Sequence, residues 1–288
     1  MNGENVTIEG QKIKGVPMVF VSDPTIKNEN ILNVDLNVYA GFGINHLTAE
    51  NIPLSSLAKI IQSRTALILG GPRGGVEYGE RWGKINLNRE ESYRDVLALL
   101  TQISQNYPNA QISLTGGSNG GLTVMGSFLY GLLNNQNGQY DQALKKLNRI
   151  LIRNSVTDLS SLLYTFNPEV SLAWQVAEDG NPNDPKQWQE IEKASPMHML
   201  QKIIQMKDGT EKQKIMLGLQ KVFILVTTNV QDRTVDPSQS TRLLAALNLI
   251  SKNSFGYFPD GDHSGAFVTR EEEANLEYTL YWTTLTVK

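Results

Sequence analysis

The chain has 288 residues, with 26 Lys and Arg against 29 Asp and Glu, a net charge of −3 and 40% apolar residues. That much apolar material supplies a sizeable core, which excludes a disordered or fibrous chain. The scattered basic residues form no footprint for a phosphate backbone, so nucleic acid is not an expected partner. The absence of cysteine excludes disulfides, Fe–S clusters, thiolate metal sites and a Cys nucleophile. The opening MNGENVTIEG lacks a signal-peptide pattern, and apolar runs such as 222–226 fall far short of the ~20 residues that span a bilayer, so a cytoplasmic protein with no membrane partner is expected.

In chain order, VTIEG (6–10) and VPMVFV (16–21) predict a strand pair ahead of the main sheet, within a lead-in over 1–34. VDLNVYAGFG (34–43) reads as a strand entering a glycine-bearing loop, followed by a helix around 55–63. TALILGG (65–71) is a short apolar run stopped by glycines, the pattern of a strand buried on both faces. The loop PRGGVEYGERWG leads to a helix over 93–106 with Val96, Leu99, Leu100 and Ile103 on one face. AQISLTGG is a strand and GLTVMGSFLYGLL a helix opening directly after it. LNRILIRNSV reads as helix or strand, and the helical spacing of LKKLNRILIR favours a solvated helix face. KVFILVTT (strand), STRLLAALNLI (helix), SFGYFP (strand) and EEEANLEYTLYWTTL (helix) close the chain, while NNQNGQYDQ and EDGNPNDPKQ are loops. Alternating β and α elements predict a doubly wound, mostly parallel α/β sheet with helices on both faces, one domain over 1–288, with its site at the carboxyl ends of the strands.

Chemistry concentrates in three loops. Ser118 lies in LTGGSNGGL between a predicted strand and a predicted helix, the G-x-S-x-G elbow in the context that the motif requires. The serine backbone there is strained, and neighbours carrying a Cβ would clash where strand and helix approach. A hydroxyl at its own pKa is a poor nucleophile, so a base and an orienting carboxylate must follow in the order Ser, Asp or Glu, His. There are three histidines. His46 precedes the serine and His198 lies before the next strand, which leaves His263 in FPDGDHSGAF, after the last apolar strand. The carboxylate is Asp232 or Asp236, both in the loop after KVFILVTT. No H-E-x-x-H, G-x-x-x-x-G-K or ligand-spaced His/carboxylate cluster is present, so neither a metal nor another cofactor is expected.

GGSNGG with Leu122, RGGVEYGERW (73–82), VYAGF (38–42) and D-x-x-V-x-P-x-x-S (232–240) together resemble the catalytic domain of the prolyl oligopeptidase family of serine peptidases, from about residue 10 to the C-terminus. The resemblance implies an α/β-hydrolase fold and peptide-bond hydrolysis on short peptides through an acyl-enzyme. It makes Asp232 the triad acid and places Tyr39 with the Asn119 N–H in the oxyanion hole. It puts Phe42 and Trp174 against the P1 side chain and leaves Arg73, Glu77 and Tyr78 supporting the fold. Thr234 stands where the family pattern has an arginine; Arg233, next to it, is the candidate for that role. About 38 residues precede Tyr39, so no β-propeller is expected, and self-association or a separately encoded propeller are the partners this implies. In SLAWQVAEDGNPNDP the site of the proline-enclosing tyrosine holds Asp179. Glu178 and Asp179 are more similar to the oligopeptidase B branch, which cleaves after Lys or Arg, because carboxylates in a dry pocket pair with a basic side chain. EDGNPNDP also reads as an ordinary solvated turn. The alternatives to a peptidase are an esterase using the same triad and a non-catalytic hydrolase-like binding module.

Overall fold

The computed structural model describes residues 5–8, 11–52, 60, 63–84, 88–164, 173 and 176–266. The expected helix over 271–285, most of that over 55–63, and Trp174 lie outside the described residues.

Strands β1 (Asn5–Ile8) and β2 (Gln11–Lys14) form an antiparallel hairpin of their own. The expected pairing of VTIEG with VPMVFV is therefore corrected: β3 (Met18–Val21) joins the edge of the main sheet, antiparallel to β5 (Thr65–Gly70). The chain then runs through β4 (Asn33–Val38), α1 (Arg89–Asn106), β6 (Gln111–Gly117), α2 (Asn119–Leu133) and β7 (Leu147–Arg153). It continues through α3 (Pro185–Ala194), α4 (Pro196–Gln205), α5 (Thr210–Gln220), β8 (Phe223–Thr227), α6 (Pro237–Asn248) and β9 (Ser254–Tyr257). Two short strands, β10 (Gly261–Asp262) and β11 (Gly265–Ala266), make a small antiparallel hairpin.

The main sheet has seven strands in the order β3-β5-β4-β6-β7-β8-β9, parallel from β5 to β9. Every residue of β5 is buried, as a strand covered on both faces requires. Leu36 on β4 pairs with Ile68 on β5 and Leu114 on β6, and all three carry the central core. From α1, Tyr93, Val96, Leu99, Leu100 and Ile103 close one face of this core, each contributing on the order of 1.5–3 kcal/mol by leaving water.

LNRILIR is a strand, which corrects the helical reading of LKKLNRILIR. The run is apolar at both spacings, and parallel ladders to β6 and β8 on either side decide for the strand. EDGNPNDPKQ is also more ordered than a loop. Asp184 accepts from the Lys186 N–H at 2.9 Å as an N-cap and Pro185 occupies the first turn of α3. Among the described residues, no helix is long and apolar enough to cross a membrane.

Candidate active site

Ser118 sits between β6 and α2 with φ 53° and ψ −124°, in the left-handed half of the map where a side chain is strained. The tightness of the elbow explains its glycines. A Cβ on Gly120 would stand 2.6 Å from the Val38 carbonyl oxygen, and one on Gly116 would stand 2.6 Å from the Gly120 carbonyl oxygen. Strand and helix therefore approach closely enough for the Ser118 hydroxyl to project above the end of β6.

The His263 loop follows β9 and lies in the β10–β11 hairpin. Its imidazole Nε2 is 3.1 Å from Ser118 Oγ, and its Nδ1 is 2.7 Å from Asp232 Oδ2. Because a carboxylate only accepts, Nδ1 carries the proton and Nε2 is the acceptor facing the hydroxyl. The Asp232 side chain is fully shielded from solvent. Its other oxygen accepts from the Thr234 and Val235 N–H groups at 2.8 and 3.0 Å, which fixes the carboxylate plane. Asp236 is occupied elsewhere: it caps α6 by accepting from the Ser238 N–H at 2.7 Å. Arg233 is exposed on the same turn.

The hairpin that carries His263 is tied down by two asparagines the sequence analysis did not single out. Asn229 Nδ2 donates to the Asp262 carbonyl at 2.6 Å, and Asn154 Nδ2 donates to the His263 carbonyl at 3.3 Å. Asn154 Oδ1 in turn accepts from the Asn229 N–H at 2.8 Å.

Tyr39 directly follows β4, and its phenol lies beside Ser118. Burial and the Glu178 charge raise its phenol pKa against the opposing influence of Ser118 and Arg89, so the hydroxyl keeps its proton at neutral pH. Asn119 is the first residue of α2, and its backbone N–H has no intrahelical carbonyl to reach. The Tyr39 ring stacks on His46 at 6.2 Å between centroids. His46 hydrogen-bonds Asn37 Oδ1 at 2.7 Å, and burial lowers its pKa to about 4. Its backbone N–H donates to Glu77 Oε1 at 3.0 Å, while Arg73 donates to Asp95 and Glu91 from the neighbouring loop.

The acidic pair does not stand free for a substrate cation, nor does it lie in a solvated turn. Arg89, which is 1% exposed, donates from Nε to Asp179 Oδ1 at 2.8 Å and from Nη2 to Glu178 Oε1 at 3.4 Å. Its Nη1 donates to the Ala40 carbonyl at 2.6 Å, and Nη2 also reaches Asn119 Oδ1 at 3.4 Å. Arg89 lies ahead of the helix predicted over 93–106, so the sequence carries no local signal for its role; in the structure it opens α1 against the helix dipole and is held by its acidic partners. Phe42 is half-buried beside this cluster, and its backbone N–H bonds Glu178.

A family model for the prolyl oligopeptidase family matches residues 65–287. The chain belongs to the prolyl oligopeptidase family. Its members are serine peptidases, and the seven-stranded sheet is their α/β-hydrolase fold. Over 179 residues the chain is 28% identical to the dual function macrocyclase-peptidase POPB of Galerina marginata, covering 61% of this chain and 20% of that protein. A structure from a study of two prolyl endopeptidases superposes with a TM-score of 0.75 at 20% identity, covering 96% of this chain and 37% of that one. Oligopeptidase B from Leishmania major gives 0.73 at 16% identity, with 95% and 35% covered. This family member thus spans little more than a third of the length of either solved relative.

Proposed function

We propose that this chain hydrolyses short peptides as a serine peptidase. The observation that carries the proposal is the Ser118–His263–Asp232 relay, with 3.1 Å from hydroxyl to Nε2 and 2.7 Å from Nδ1 to carboxylate. In the first step Ser118 Oγ attacks the scissile carbonyl carbon while His263 Nε2 takes its proton. Asp232 holds the tautomer and stabilises the imidazolium that forms. Negative charge develops on the carbonyl oxygen, where the Tyr39 hydroxyl and the Asn119 N–H donate to it. The imidazolium then protonates the leaving amine, leaving an acyl-Ser118 ester, and His263 activates water to release the acid and regenerate the hydroxyl.

For the P1 residue, the engagement of Glu178 and Asp179 by Arg89 supports an uncharged side chain such as proline over Lys or Arg. Labelling by a fluorophosphonate probe tests the first claim: the intact chain reacts, and Ser118→Ala does not. An unlabelled intact chain refutes it. Proline- and arginine-terminated p-nitroanilides test the second, and preferential release from the arginine substrate refutes it.

A further inference from the structure

The segment that follows Tyr39 is held in a conformation it would not choose alone. Ala40 and Phe42 lie at φ 58° and 54°, and a non-glycine residue in that region carries strain of order 1–3 kcal/mol. Such a backbone persists where its surroundings over-determine it, and here they do so at successive peptide groups. Thr123 Oγ donates to the Tyr39 carbonyl at 2.9 Å, and Asn119 Nδ2 and Arg89 Nη1 both donate to the Ala40 carbonyl, at 2.8 and 2.6 Å. The Phe42 N–H is taken by Glu178.

Arg89 links these holds. One planar fork reaches the Ala40 carbonyl, the Asn119 carboxamide, Glu178 and Asp179, elements far apart in sequence, and a lysine, with its single point charge, could not reach all four. A buried ion pair is weak support for a stabilising role, since apolar side chains of the same volume serve stability as well or better. Its geometry, aimed at the carbonyl next to the oxyanion tyrosine, indicates a different purpose.

We propose that Arg89 is a positioning residue for the oxyanion donor: through the Ala40 carbonyl and the Asn119 carboxamide it holds Tyr39 within reach of Ser118, and Asp179 and Glu178 keep the guanidinium buried and aimed. This rests on the serine-peptidase reading for its kinetic arm only.

The test is a double-mutant cycle with Tyr39. Removing one oxyanion donor costs about 10²–10³ in rate, so Tyr39→Phe lowers kcat by that factor, and Arg89→Lys alone lowers kcat by about 10- to 100-fold with KM unchanged within about twofold. In the Tyr39→Phe background, Arg89→Lys costs less than about threefold, because the group it positions is gone. Equal losses in both backgrounds, or no loss in the parent chain, overturn the proposal.

Hydrogen exchange gives an arm independent of turnover. In Arg89→Lys the amides of residues 40–43 exchange at least about tenfold faster while those of β6 do not change, and unchanged exchange at 40–43 overturns the proposal. If the intact chain takes no fluorophosphonate, the peptidase reading falls, and the exchange arm still decides the role of Arg89. Should Arg89→Lys not fold, Asp179→Asn, which leaves the guanidinium in place but removes the charge of its principal partner, is read by the same two measurements and the same outcomes.

Discussion

Acid should destabilise this fold in part through one buried imidazole. His46 lies against the Tyr39 ring and burial lowers its pKa to about 4, from the 6.5 of an unperturbed histidine. The folded chain therefore keeps the ring neutral where the unfolded chain takes up a proton. Stability is unaffected above pH 6.5, falls as pH drops from 6.5 to 4, and levels off below that, for a total of about 3 kcal/mol at 1.36 kcal/mol for each tenfold change in proton affinity. At pH 5 the loss already amounts to about 2 kcal/mol. The assay is urea unfolding at pH 7.5 and at pH 5 for the parent chain and for His46→Gln, whose side chain does not titrate. Carboxylates contribute equally to both proteins, so the difference between the two pH dependences isolates the imidazole. Parallel losses of stability in parent and variant would refute the reasoning.

Asp232→Asn presents an amide N–H to His263 Nδ1 if its oxygen keeps the Thr234 and Val235 amides. This forces the proton onto Nε2, and kcat at neutral pH drops by about 10⁴ while the melting temperature changes little. Gly120→Ala drives a methyl into the Val38 carbonyl oxygen, costs about 1–3 kcal/mol in chemical denaturation and slows fluorophosphonate labelling by moving Tyr39; an unchanged labelling rate would contradict the close-approach argument. Arg73→Met strands the Asp95 carboxylate, buried beneath it, and costs about 3–5 kcal/mol. Adding Asp95→Leu should recover most of that loss, and no recovery would count against charge burial as the cause.

The sequence was most legible where a single physical pattern had no competitor. TALILG is apolar throughout and ends in glycine, so a doubly buried strand is its one solution. Ser118 declares itself because two of the glycines around it, Gly116 and Gly120, are dictated by carbonyl oxygens 2.6 Å from where a Cβ would stand. LNRILIR was ambiguous because its apolar residues suit both periods, and the neighbours that decide the matter come from β6 and β8, distant in sequence. The helices between 185 and 220 went unread although Asp184-Pro185 and Ser195-Pro196 are start signals; the polar, turn-rich run EDGNPNDPKQ masked the first of them. Arg89 was missed for a related reason. Its partners are a backbone carbonyl and an acidic pair roughly 90 residues on, and pairing of that kind leaves no local periodicity.

The small hairpin bearing His263 is fastened by asparagine side chains to main-chain oxygens, whereas Ser118 is locked between a core strand and a buried helix. Heating loosens such peripheral arms before it melts the body they hang from. Turnover should consequently vanish at a lower temperature than the circular-dichroism signal of the sheet, and a protein cooled from that interval should regain its rate without refolding.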